Sequence, residues 1–255
     1  MRTLLVASAT LLLATTASAD FWGCDNKEPR NASVAAAGVT RVVVIGRAGT
    51  LRVSGGASNE IRATGTACSS DEDLVKDIKL VATRRGTEVR VEAIIPEPSI
   101  SWGTKIAALD FEVSVPGNVA VDVTDSSGEL TIENVGPLTV DDGSGELTIR
   151  GVHGDLSVKD GSGEMEIADV AGSVRVEDGS GAIEIKRVGG DVHIVDDGSG
   201  EIDIEQVKRN VIVDDDGSGA LNVEDVGGDF TVAHKSSGHI SSDRVAGRVS
   251  IPRRR

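Results

Sequence analysis

The residues with the clearest capacity for chemistry are aspartates that each precede a Gly-Ser-Gly triplet. Asp142, Asp160, Asp178, Asp197 and Asp216 occupy the same place in consecutive repeats of the chain. Carboxylate oxygens are preferred Ca²⁺ ligands, and oxygens ~4.8 Å apart on neighbouring strands can both reach one ion at ~2.4 Å. These five residues are therefore the candidate metal site, and Ca²⁺ is the one candidate cofactor. The alternative is a solvated acidic face whose charges are offset by turn N–H groups and salt.

Negative charge is concentrated in the same part of the chain. Residues 125–229 hold 26 Asp and Glu against 7 Lys and Arg, while the whole chain has a net charge of −15. Such a surface would repel a phosphate backbone, so nucleic acid is not an expected partner. The sequence also lacks a GxSxG nucleophile elbow and a GxGxxG dinucleotide loop, and only five of its residues are aromatic. These observations predict a protein that is not an enzyme.

Two further groups of residues could hold a metal ion. The stretch from Asp214 to Asp225 has the oxygen spacing of a helix-loop-helix calcium loop, but strand patterns flank it. His234 and His239 replace acidic residues in the last repeat and could form a metal pair. The alternative interpretations are the ordinary repeat with one extra aspartate, and a terminal repeat that ends the run of negative charge.

The elements that must position these residues repeat with a nearly fixed period. The last glycine of each of the seven turns recurs at an almost constant spacing: Gly128, Gly145, Gly163, Gly181, Gly200, Gly219 and Gly238. Between them, apolar and polar residues alternate as in a strand, for example Leu147 and Ile149, then Leu156 and Val158. One such unit cannot bury its apolar face alone, whereas stacked units can.

The predicted fold is therefore all-β. It is a parallel β-solenoid, resembling a single-stranded β-helix, of about seven coils of 17–19 residues, preceded by a less regular β region. An antiparallel meander or sandwich is the alternative, since short strands with frequent turns fit it too. The solenoid is favoured because the same residue types recur at the same phase of every unit.

The ends of the chain predict export. Arg2, the apolar stretch from Leu4 to Ala14 and the small residues Ala17 to Ala19 have the pattern of a signal peptide over residues 1–19. Cys24 and Cys68 are the only cysteines, and an even number in an oxidising compartment predicts one disulfide between them. The expected location is the periplasm or the cell surface. No transmembrane segment is expected in the mature chain.

The remaining boundaries follow from composition and pattern. Residues 20–38 are predicted to be an exposed lead-in, and residues 39–115 an irregular N-terminal β region that caps the solenoid. Residues 116–252 hold the solenoid repeats, and residues 253–255 form a basic tail.

Several phrases of the sequence carry a resemblance to a known family. They are the run from Ala48 to Gly55 (AGTLRVSG), Val113-Ser114-Val115-Pro116, and the recurring Ser-Gly-Glu-Leu/Ile and Val-Gly-Gly-Asp-Val. With them the chain resembles the bacterial putative-adhesin family of β-strand-repeat proteins, a domain of unknown function. The resemblance implies an exported, non-catalytic solenoid that serves as a structural or adhesion module at the cell envelope, with a protein or glycan partner. The alternative function is Ca²⁺-dependent binding through the acidic turns.

Overall fold

The computed structural model describes residues 24–96 and 106–252, which form an almost entirely β structure. The predicted signal peptide (residues 1–19) and basic tail (residues 253–255) lie outside the described residues. In chain order the elements are β1 (Asn26–Ala35), β2 (Arg41–Ile45), β3 (Leu51–Gly56), β4 (Glu60–Ser69), α1 (Glu72–Asp77), β5 (Lys79–Arg85), β6 (Glu88–Ile94), β7 (Ala107–Pro116), β8 (Ala120–Asp125), β9 (Leu130–Glu133), β10 (Leu138–Asp142), β11 (Leu147–Val152), β12 (Leu156–Asp160), β13 (Met165–Val170), β14 (Val174–Asp178), β15 (Ile183–Val188), β16 (Val192–Asp197), β17 (Ile202–Val207), β18 (Val211–Val226), β19 (Phe230–Val245) and β20 (Val249–Ser250).

The repeat segment forms about seven stacked coils, and the predicted parallel β-solenoid is confirmed. Each coil contributes one strand to each of two parallel sheets. The first sheet contains β8, β10, β12, β14, β16 and the first halves of β18 and β19. The second contains β9, β11, β13, β15, β17 and the second halves of β18 and β19. Parallel pairing between successive coils rules out the antiparallel meander.

The alternation of the sequence explains why each coil closes around its own core. In β10 and β11, Leu138, Val140, Leu147 and Ile149 are buried, whereas Thr139 and Thr148 point away from the core. A third inward position follows in each strand, and in β11 it is Val152. Because the sheets pair in register, each inward residue packs on its equivalent in the next coil. The core is thus a set of aliphatic columns parallel to the solenoid axis.

The N-terminal region extends both sheets as well as covering their end. The strand β2 pairs in parallel with β6 on one side and β8 on the other, and β3 pairs in the same way with β7 and β9. Val42, Val44, Leu51 and Val53 are buried, in the same alternation as the repeats, which is why this segment can enter the stack. Beyond these rungs the pairing becomes antiparallel, between β4 and β7 and between β5 and β6.

The segment predicted to be an exposed lead-in, residues 20–38, instead contains an edge strand. The strand β1 pairs antiparallel with β4 over its whole length, and every second side chain is exposed. Among the contacts that hold β1 in place are the disulfide between Cys24 and Cys68, which confirms the predicted pair, and the side chain of Arg30. Arg30 Nε donates to the carbonyl oxygen of Ile78, and Nη2 donates to that of Val75, both at 2.7 Å.

The short helix α1 packs beside β1 and β4. Asp71 is its N-cap and accepts hydrogen bonds from the amides of Asp73 and Leu74 at 3.0 and 2.9 Å. Within residues 24–96 and 106–252, no helix is long and apolar enough to cross a membrane.

Candidate functional site: a buried aspartate ladder

The aspartates singled out in the sequence form one column inside the solenoid. The parallel register places six of them in consecutive coils of the first sheet, and we call them the aspartate ladder: Asp125, Asp142, Asp160, Asp178, Asp197 and Asp216. Asp216 is in turn paired with Lys235 of the next coil. The structure therefore brings together all five predicted residues and adds one at each end of the column.

The ladder faces the interior because of strand alternation. In β10 the buried positions are Leu138, Val140 and Asp142, whereas Thr139 and Asp141 are exposed. The same phase holds in each later coil, so Asp142 is only 3% exposed, Asp197 1% and Asp216 0%. The expectation of a solvated acidic face is therefore wrong for these aspartates. It does describe the glutamates after the turns, which are exposed: Glu129, Glu146, Glu164 and Glu201.

Most of the ladder oxygens have no hydrogen-bond partner. Among the described residues, ten buried carboxylate oxygens lack one, including both oxygens of Asp142, Asp160, Asp178 and Asp197. A buried charge that is neither paired nor hydrogen-bonded is costly, and a carboxyl group in such a place tends to take up a proton. The ladder is thus the most polar and the least satisfied part of the core.

Burial changes the acidity of these groups. It raises the pKa of Asp125 to about 7, and the neighbouring Asp142 carboxylate adds to this effect. Burial raises the pKa of Asp142 to about 6, again with a contribution from the next carboxylate, Asp160. The amides of Gly143 and Ser144 lower the pKa of Asp142, though neither forms a hydrogen bond of normal geometry with it.

The same causes act further along the column. The pKa of Asp160 is raised to about 6 by burial and then by Asp178, and burial also raises the pKa of Asp178. Asp197 reaches a pKa of about 7 through burial and then through the charges of Asp178 and Asp216. The carboxyl groups of Asp178 and Asp197 lie close enough for a hydrogen bond to form between them, but only when one of the two carries a proton.

The two ends of the ladder differ in chemistry. Gly46, which follows β2, occupies the position equivalent to Asp125 in the adjacent coil. A Cβ atom at Gly46 would overlap the Asp125 carboxylate. At the other end, Lys235 Nζ donates to Asp216 Oδ2 at 2.5 Å, and the two side chains are 5% and 1% exposed. The column therefore begins against a glycine and ends at one buried ammonium group.

The predicted Ca²⁺ ligands are collinear rather than convergent. Among the described residues, no group of three or more His, Cys, Asp or Glu side chains comes together closely enough to hold a metal ion. In the stretch with calcium-loop spacing, Asp214 instead contacts His193, whose Nε2 lies 2.6 Å from Asp214 Oδ2. His234 and His239 are exposed residues of the last coil.

The sequence analysis missed Asp125 and Lys235 as members of the column. The repeat period could have found both, because Asp125 lies one repeat before Asp142 and Lys235 lies one repeat after Asp216. It also missed a second ladder on the outside of the coils, in which a side-chain oxygen accepts a hydrogen bond from a backbone amide of the next coil. Asp155 Oδ1 accepts from the Ser173 amide at 2.8 Å, and Asn210 Oδ1 accepts from the Asp229 amide at 2.9 Å.

A different kind of surface lies at the C-terminal end, on the coil of residues 230–252, which we call the terminal coil. The outer edge of β19 pairs with β20 at Phe230 and Thr231, and the described chain places no further strand beside residues 240–245. Val249 and Ile251 are 43% and 39% exposed. A hollow of about 1220 Å³ opens here between the 233–240 segment and Ile251 and Pro252.

Comparisons with known proteins give structural likenesses only. No protein-family model matches the chain, and no curated protein matches it. A putative adhesin from Bacteroides fragilis is similar in structure at 12% identity and a TM-score of 0.48, covering 90% of this chain and 99% of that one. A putative lipid binding protein from Parabacteroides distasonis is similar at 12% identity and a TM-score of 0.45, covering 88% and 97%.

A putative cell adhesion protein from Clostridium sporogenes is similar at 13% identity and a TM-score of 0.33, covering 88% of this chain and 98% of that one. The adhesin name also belongs to the family that the sequence resembles. The low identities and TM-scores give no basis for transferring a function.

Proposed function

We propose that the protein is an exported, non-catalytic interaction module of the bacterial cell envelope, which binds an acidic extended segment of a partner protein at its terminal coil. The observation that carries this proposal is the stretch of β19 from residue 240 to residue 245, beside which the described chain places no further strand, with exposed apolar residues nearby. An open sheet edge offers a row of backbone donors and acceptors to which another chain can add a strand. The Cys24–Cys68 disulfide supports export, because such bonds persist in oxidising compartments.

Charge argues for an acidic partner segment. Residues 230–255 contain six Lys and Arg, among them Arg244 and Arg248, against one acidic residue, Asp243. The preceding coils are strongly acidic, so within the repeat segment a net positive charge is found only after residue 229, where Arg248 is exposed and Lys235 is buried against Asp216. A negatively charged strand would be attracted to this end and repelled by the acidic sides of the preceding coils. This difference would favour docking at the edge of β19.

The opposite end of the solenoid is built differently. Beyond the last parallel rungs lie the antiparallel strands β1, β4 and β5 and the helix α1. Pro29 in β1 removes one backbone donor from that edge, and the side chain of Arg30 ties β1 to the carbonyl groups of Val75 and Ile78 at the end of α1. These features are typical of protected edges, and they make the terminal coil the better docking surface.

Binding can be tested with a peptide of the sequence of β18 (Val211–Val226), which is acidic and fits as the next rung. Calorimetry on residues 20–255 is expected to show binding that weakens with salt, and about a tenfold loss for Arg248→Ala. Arg209→Ala is the matched control, because it removes an exposed arginine from the coils that precede the terminal coil. This variant should bind the peptide normally.

Equal binding of a scrambled peptide with the same charges, or an unchanged affinity of Arg248→Ala, would contradict the proposal. Light scattering on the protein alone tests whether a second copy of the chain binds at this edge instead. A dimer that dissociates in Arg248→Ala would mean that a second copy, and not a partner segment, covers the terminal coil.

Ca²⁺-dependent binding through the aspartates is the competing function, and the unpartnered ladder oxygens are the observation in its favour. It predicts that millimolar Ca²⁺, but not Mg²⁺, raises the melting temperature by several degrees over that in EDTA. An equal effect of both ions would indicate charge screening alone.

A further inference from the structure

The aspartate ladder cannot be fully ionised as it stands in the structure. Six carboxyl groups lie in one buried column, and among the described residues Lys235 at its end is the one positive group in direct contact with it. Neighbouring carboxylates one strand apart repel each other, and this repulsion is stronger in a dry interior than in water. Two like charges at such a distance do not both ionise readily, so something must neutralise most of the column.

A metal ion fits this column poorly. Ca²⁺ takes six to eight oxygen ligands, whereas a gap between two rungs offers two carboxyl groups. The inward positions of the opposite sheet are apolar, for example Leu147, Met165 and Ile183, and supply no further oxygen. No convergent group of three ligand side chains occurs in the described part of the chain. A proton requires only one donor and one acceptor, which is what two stacked carboxyl groups provide.

We propose that the aspartate ladder is a proton-binding site, in which neighbouring carboxyl groups inside the solenoid share protons in mildly acidic to near-neutral solution. The raised pKa values of Asp125, Asp142, Asp160 and Asp197, about 6 to 7, agree with this geometry. The protons belong to the column rather than to single residues, because each group interacts with its neighbours. Among the described residues, Lys235 supplies the one positive charge in contact with the column, at Asp216.

The charged groups around the column are few. From β8, β10, β12, β14, β16 and β18 the ladder aspartates face one another, and from β19 Lys235 faces Asp216. The exposed Asp141 also raises the pKa of Asp142, while Lys235 lowers that of Asp197. On the side of β2 the column meets Gly46, which carries no charge.

The ladder links stability to pH in a direction opposite to that of salt-bridged carboxylates. The folded protein holds protons that the unfolded chain releases above its ordinary aspartate pKa of 3.8. The contribution to stability is therefore complete in acid and is lost as the pH rises through about 6 to 7. The rod is expected to be most stable in mildly acidic surroundings and to loosen at alkaline pH.

The direct test is a pH titration of the aspartate carboxyl carbons by ¹³C NMR, on the unsubstituted chain of residues 20–255. We expect several ladder carboxyl signals to titrate at pH 5.5 or higher, while exposed aspartates titrate near 4. We also expect the melting temperature to fall by at least about 5 °C between pH 5 and pH 8. Full ionisation of all six ladder aspartates below about pH 4.5 would overturn the proposal.

A matched pair of variants assigns the effect to the ladder. Asp142→Asn removes one ionisable group from the column at nearly constant shape, whereas Glu146→Gln changes an exposed carboxylate after the same turn. The first is expected to reduce the fall in melting temperature between pH 5 and pH 8, and the second to leave it unchanged. Equal effects of both, or a Ca²⁺-selective stabilisation that Asp142→Asn abolishes, would show that protons are not what neutralises the column.

Discussion

At the scale of single residues, one side-chain identity decides how the ladder ends. Lys235 occupies the position that an aspartate holds in the six preceding coils, and its ammonium group is as buried as the carboxylate it contacts. Breaking a buried ion pair by removing one partner usually costs ~3–5 kcal/mol, because the other charge is left uncompensated. The terminal lysine is thus a structural necessity of the column more than a surface charge.

Lys235→Met is therefore expected to destabilise the protein by about 3 kcal/mol at pH 8, measured by urea denaturation. Lys208→Met, at an exposed lysine of the flank, serves as control and should change stability by less than about 0.5 kcal/mol. A loss for Lys235→Met no larger than that for Lys208→Met would contradict this account.

At the scale of the coil, the glycines of the turns are required by close approach of the backbone. Gly163 has a φ of +145°, and a Cβ atom there would overlap the carbonyl oxygen of Gly145 in the adjacent coil. The same overlap recurs from coil to coil, which explains why the third turn residue is always glycine. The opposite corner uses left-handed residues that are not glycine, such as Arg187 and Gln206.

We expect Gly163→Ala to lower the free energy of unfolding by at least about 2–3 kcal/mol, because neither the backbone conformation nor the spacing of the coils can accept a methyl group. Gly56→Ala is the control, since nothing lies within 4 Å of a Cβ atom at that position. Chemical denaturation of both variants measures the difference. A Gly163→Ala protein as stable as Gly56→Ala would show that the coils can move apart at little cost.

At the scale of the whole molecule, the two ends of the rod are closed by different means. The N-terminal end carries antiparallel strands, a helix and the disulfide, whose cysteine Cα atoms are 5.5 Å apart and 44 residues apart in sequence. The C-terminal end has none of these within the described residues. Local opening is therefore expected to begin at the terminal coil in the native protein, and at β1 once the disulfide is removed.

Replacing both Cys24 and Cys68 by alanine should cost about 2–4 kcal/mol. Hydrogen exchange should show faster exchange of the β1 and β4 amides, with the coils from β10 to β17 unchanged. The coils between these ends are held by parallel pairing and by their own aliphatic columns, which the substitution does not touch. Loss of protection throughout the rod would instead mean that the disulfide end nucleates the whole solenoid.

The sequence by itself determined the solenoid, because periodic alternation and glycine turns are local properties that each coil repeats. Leu147 and Ile149, or Leu156 and Val158, predict an inward face without knowledge of any other coil. The same alternation also implied that Asp142 points inward, but its charge and its place before a glycine suggested a solvated or metal-binding turn. Burial of a carboxylate is unfavourable in isolation, so local reasoning places it outside.

Only the tertiary structure decided where these groups and the N-terminal strands lie. The coil of β2 and β3 enters the stack between β6–β7 and β8–β9, an order that the sequence cannot reveal because its partners are distant along the chain. The in-register stacking of the coils converts single aspartates into one continuous column. The sharing of protons between aspartates and the pairing of Lys235 with Asp216 both require that column, because each depends on a neighbour that lies a full coil away along the chain.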